Sequence, residues 1–138
     1  MPPEKEIIMS DLLVSRAQLW APRVLSIAFV AFLSVFAMDG FDAHLGFWPN
    51  LLALAIHLIP TWVLILGLVF AWRREWIGTV VYALMGVLYI IWATTVPRPV
   101  PAATRLLWTT TIAGPALLIA ALFLANWRKH DELRTLRH

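Results

Sequence analysis

Residues 51–71 read LLALAIHLIPTWVLILGLVFA, and residues 72–75 close the run with WRRE. A helix rises 1.5 Å per residue, so this stretch reaches about 31 Å, the thickness of a bilayer's hydrocarbon core. The Trp and paired Arg that end it are residues suited to the headgroup level. Working outward, three further stretches share this character: Val24–Phe41, Ile77–Thr95 and Leu106–Asn126. The expected fold is therefore all-α, a four-helix transmembrane bundle with spans at 24–41, 51–71, 77–95 and 106–126, arranged up-down-up-down. One membrane domain would cover 23–128, preceded by an N-terminal interfacial segment over 1–22 and followed by a basic tail over 129–138.

Composition agrees. Of 138 residues 61% are hydrophobic and only 14% charged, far from the balance of a soluble domain. The net charge of +3 comes from Arg and Lys at the span ends, which speak for orientation and against a nucleic-acid face. With no cysteine, disulfides, thiolate metal sites and thiol redox chemistry are excluded. Placing both termini in the cytoplasm puts nine of the eleven Lys and Arg inside, the side the positive-inside bias favours. Trp20, Trp72, Trp76 and Trp127 would then form the inner aromatic belt and Trp48, Trp92 and Trp108 the outer one, with Trp62 alone at mid-span.

Two rival readings of the ends carry less weight. Val35 and Ala37 before Met38 have a signal-peptidase spacing, but the long preceding segment with Glu4, Glu6 and Asp11 suits an n-region poorly. His130-Asp131-Glu132-Leu133 spells an ER-retention tetrapeptide, but five residues follow it. Ile8, Leu12, Leu13, Leu19 and Trp20 share an approximate helical face, which predicts a short helix lying at the inner interface before Pro22 opens the first span. Pro97, Pro99 and Pro101 predict an extended outer connection.

A shift of 55 residues superposes Leu51-Leu52 on Leu106-Leu107, Pro60 on Pro115, and Trp72-Arg73-Arg74 on Trp127-Arg128-Lys129. This suggests a parallel repeat of two hairpins, against the simpler explanation that apolar helices share Leu and inner ends share Trp and Arg. Pro60 and Pro115 fall near mid-bilayer, where each removes a backbone donor and predicts a kink that frees a carbonyl near Ile56 or Thr111.

Ionisable groups within a span are costly and point by default to function. Asp39 and His57 sit at similar outer-third depth. Asp42 lies a turn above Asp39, Thr61 a turn below His57, and Tyr89 and Thr109, Thr110 and Thr111 also fall in the outer half. Together they form a candidate polar or ion site, in which His57 could relay protons beside a carboxylate. The plainer alternative has the carboxylates reaching water beside Gly40 and His57 making one hydrogen bond in the bundle. No recognised metal spacing joins them, and neither a cofactor nor a metal is expected. Gly78, Tyr82 and Gly86 recur every four residues and predict a smooth stripe for close helix packing. Glu75 is expected to pair locally within the Arg73-Arg74-Glu75 turn. Nucleophile elbows, zinc-protease motifs and phosphate loops are absent, so no enzyme is expected.

His57-Leu58-Ile59-Pro60-Thr61, Ala71-Trp72-Arg73 with Glu75 and Ile77-Gly78, Gly114-Pro115, and Asn126-Trp127-Arg128 together resemble a family of small bacterial four-span membrane proteins, a domain of unknown function. The resemblance covers Arg23 to Arg128. It implies a location in the bacterial inner membrane and brings no activity. The small multidrug exporters differ, since they need a carboxylate deep in the first span. The functional expectation is a structural or accessory membrane protein, with the alternative of a proton- or cation-coupled transporter working through His57 and Asp39. Its partners would be the bilayer and a second copy or another membrane protein, without nucleic acid.

Overall fold

The computed structural model describes the backbone of residues 3–38, 44, 46–95 and 99–135, with side chains over 16–38, 44, 46–95 and 99–130. Four helices follow in order: α1 (Pro3–Ala37), α2 (Phe47–Ala71), α3 (Glu75–Thr95) and α4 (Ala102–Thr135). Each contains a segment long and apolar enough to cross a membrane: Arg16–Ala37, Phe47–Ala71, Glu75–Thr95 and Ala102–His130. No strand occurs among the described residues. Each helix packs on its chain neighbours, and α4 closes the ring against α1, with α3 and α4 the most closely packed pair.

One turn shows how the chain reverses. Trp72 N–H donates to Leu68 O at 3.1 Å, and the Arg73 and Arg74 amides both donate to Phe70 O at 3.1 and 3.0 Å. These bonds satisfy carbonyls left over at the end of α2. α3 starts at once, with Ile77 N–H donating to Arg74 O at 3.0 Å.

The core is a slender apolar column containing Phe29, Leu64, Leu68, Ala71, Tyr82, Ala116, Ile119, Ala120 and Phe123. All eight tryptophans lie outside it, each at least 41% exposed. That inversion fits a lipid surround, where apolar rings on the outside carry no penalty. Gly78 and Gly86 explain the α3/α4 closeness. A Cβ on Gly78 would lie 2.8 Å from the Phe123 ring, and one on Gly86 would lie 2.9 Å from Leu117. With Tyr82 fully buried between them, the expected packing stripe is present.

The N-terminal expectation is not met. α1 runs unbroken from Pro3 through Pro22 to Ala37, where a separate interfacial helix before Pro22 was expected. Pro22 has no amide to give the carbonyl four residues earlier, so Gln18 O would be orphaned in an isolated helix. Here Asn126 Nδ2 of α4 donates to Gln18 O at 2.8 Å. A partner from another helix meets the need that would otherwise favour a break. Pro60 and Pro115 likewise lie inside continuous helices.

Candidate functional site

The residues expected to form an outer-half site are dispersed in their bonding. His57 is exposed, and its Nδ1 lies 2.8 Å from Ala53 O of the preceding turn. A carbonyl only accepts, so Nδ1 is the donor in this bond. Thr110 and Thr111, both exposed, donate at 2.8 Å to Leu106 O and Leu107 O on their own helix. Thr109, half-buried, does the same to Arg105 O at 2.8 Å. Thr61 is buried within the bundle. Tyr89 is half-buried, its ring 5.6 Å from that of Trp92, and makes a further interaction. Asp39 and Asp42 lie outside the described residues. Among those described, no group of three His, Cys, Asp or Glu side chains could hold a metal ion.

At the outer end His44, Asn50, Tyr89, Trp92 and Arg105 also make interactions, and at the opposite end, near the chain termini, a set of polar bonds joins different helices. Glu75, at the first turn of α3, has a side chain only 10% exposed. It does not pair locally as expected. Its Oε2 lies 2.9 Å from His130 Nδ1 on α4, and its Oε1 lies 4.0 Å from Arg23 Nη2 on α1. The His130 contact is the shorter and carries most of the bond. A carboxylate in a helix's first turn also meets the positive end of the macrodipole. Arg23 is held less closely, its guanidinium 5.8 Å from the Trp20 ring and its Nε without a hydrogen-bond partner among the described residues.

Beside this triad, Gln18 is gripped twice from α4. Asn126 takes its backbone carbonyl, and Lys129 Nζ donates to its side-chain Oε1 at 2.7 Å. Deeper in the span, Ser26 Oγ donates to Pro22 O at 2.6 Å and lies beside the Tyr82 hydroxyl. The Tyr82 hydroxyl also reaches Leu64 O of α2 at 3.5 Å, and its ring lies 6.0 Å from that of Phe123 on α4. Tyr82 therefore touches all three other helices. Chemically, this arrangement fixes helices against one another, its donors and acceptors paired across α1, α3 and α4.

Sequence reasoning missed the Glu75–His130 pair and the Gln18–Asn126 bond. A signal for the second was present, because an Asn within an apolar helix needs a partner and a proline elsewhere leaves a carbonyl seeking one. For Glu75 the adjacent Arg73 and Arg74 were the nearer candidates, and only the rotation of α3 about its axis turns the carboxylate inward.

Four bilayer-length helices around an apolar column, fastened by polar bonds at one rim, define a small polytopic helical bundle of the membrane-protein class. The chain belongs to the family described as Domain of unknown function (DUF7670), whose model matches residues 9–134. No curated protein and no solved structure matches it.

Proposed function

We propose that this protein is a small structural or accessory component of the bacterial inner membrane, non-enzymatic, with both termini in the cytoplasm. One observation carries the reading: the outer-half polar side chains His57, Thr110 and Thr111 bond to their own helices, while the polar bonds between helices serve as fasteners. Catalysis and coupled transport both need convergent groups around a space a reactant can enter. The basic residues gathered near the termini support the orientation. The bilayer is its main partner. A second copy or another membrane protein would meet α4 around Gly114, where an added side chain encounters nothing within 4 Å.

Purified protein in liposomes tests this reading. The expected result is proton and cation flux no greater than in empty vesicles. Flux that disappears in His57→Ala and Asp39→Asn would replace the accessory reading by the transporter. Reporter fusions at Gly46 and Arg137 test orientation, and an externally active fusion at Arg137 would reverse it.

A further inference from the structure

The seam between α1 and α4 differs along its length. At the termini end it is closed by Gln18, Asn126 and Lys129. Further in, the helices part around an open apolar groove of about 350 Å³, lined by residues including Leu25, Phe29, Phe32, Pro115, Leu118 and Ile119. Leu25, Phe32 and Leu118 are each more than a third exposed, so the groove opens outward, toward the bilayer in the four-span reading. This volume lies within the range of small-ligand sites.

We infer that the groove holds an acyl chain of an anionic phospholipid whose headgroup rests on the basic rim beside Lys129. Two observations select this occupant. The first is charge. In the sequence, the segments before the first span, between the second and third, and after the fourth carry nine Lys and Arg against six Asp and Glu, an excess of three positive charges, and the one of those carboxylates whose side chain is described, Glu75, is already engaged by His130 and Arg23. Lys129 lies on the closed, termini end of the seam, exposed, with one of its three ammonium protons directed to Gln18. Arg128, next to it in sequence, and Arg16, two residues before Gln18 on α1, are also exposed. Anionic headgroups gather at clusters of this kind.

The second is length. Along α1, Gln18 marks the level of Lys129 and Phe32 the far end of the groove, a rise of about 21 Å. One leaflet, from headgroup to midplane, measures about 20–22 Å. A lipid with its phosphate at Lys129 would therefore lay the far half of one chain along Leu25, Phe29 and Phe32, ending where the groove ends. A second copy of the protein would have to fill the groove with side chains and would gain nothing from the basic rim.

The test uses full-length protein, delipidated in detergent and given equimolar palmitoyl-oleoyl phosphatidylglycerol and phosphatidylcholine, with bound lipid counted by native mass spectrometry. Phosphatidylglycerol should be retained about fivefold over phosphatidylcholine for each basic residue engaged. Ala28→Phe, which fills the groove from α1, should remove most of the bound lipid; Leu118→Phe repeats the test from α4 if the first variant does not fold. Lys129→Gln with Arg128→Gln should bring phosphatidylglycerol down to the phosphatidylcholine level. Equal retention of the two lipids by the unaltered protein would overturn the inference. So would phosphatidylglycerol binding that survives both groove-filling variants, or a dimer mass that both variants abolish while bound lipid is unchanged. Glycerol phosphate, a headgroup without chains, should not compete at millimolar concentration; competition would mark a phosphate site independent of the groove and would also overturn it.

Discussion

The two sides of α4 meet their neighbours in opposite ways. Toward α3, glycine replaces side chain with backbone, and Phe123 and Leu117 lie where Cβ atoms on Gly78 and Gly86 would be. Toward α1, prolines stand on both helices, contact is looser, and the gap is part polar clasp and part open groove. In lipid, apolar groups gain little by hiding from their surroundings, so helix association depends on close packing and on interhelical hydrogen bonds. The α3/α4 interface uses the first and the α1/α4 seam the second. One helix thus serves as a fixed wall on one side and a tethered one on the other.

The largest expected effect tests the packed side. Phe123→Ala should lower stability by about 3–5 kcal/mol, the usual cost of emptying a well-packed aromatic site. Phe32→Ala at the groove, where the ring is 37% exposed, should cost about 1 kcal/mol. Unfolding in mixed micelles with increasing SDS measures both. Equal losses would erase the distinction between the two sides.

Glycine gives a sharper version at smaller scale. Gly78→Ala should cost about 1–3 kcal/mol through overpacking against Ala71 and Phe123. Gly114→Ala, with no tertiary neighbour for the new methyl, should stay within about 1 kcal/mol of the unaltered protein. There a gain in helix propensity is opposed by the clash of a pre-proline Cβ with the Pro115 ring. The same micelle titration decides it, and a Gly114→Ala loss as large as that at Gly78 would mean that the exposed face of α4 is covered.

The smallest effect isolates the clasp. Asn126→Ala should cost about 1 kcal/mol by leaving Gln18 O without its donor. Pro22→Ala restores an amide four residues after Gln18, so in that background the loss at Asn126 should fall to a few tenths of a kcal/mol. A double-mutant cycle measures the difference. Additive losses would show that Asn126 acts by packing and not as a surrogate for the missing amide.

Much of the architecture was legible in the sequence because bilayer thickness imposes a length on every apolar run, and tryptophan with arginine marks where each run ends. The Gly78, Tyr82 and Gly86 stripe was legible for a similar reason, since its period is the helix's own. Helix rotation was less so. Whether His57 turns toward α3 or outward depends on the packing of residues far away in sequence, and that packing leaves His57 exposed and bonded to Ala53. Pro22 misled for the same reason: a proline near an interface reads as a helix start until Asn126, 108 residues from Gln18, supplies the donor. Glu75 lay beside two arginines in sequence but finds its closest partner in His130, on another helix.

That bond between Gln18 and Asn126 also bears on how the molecule is made. A ribosome adds about 5–20 residues each second, so Asn126 follows Gln18 by about 5–20 s. During that interval the first helix carries an open carbonyl above its proline, and α2 and α3 must be delivered before the donor exists. The last helix synthesised completes the hydrogen bonding of the first. A nascent chain halted after α3 would hold α1 with its backbone unfinished at Gln18 until α4 arrives with the donor.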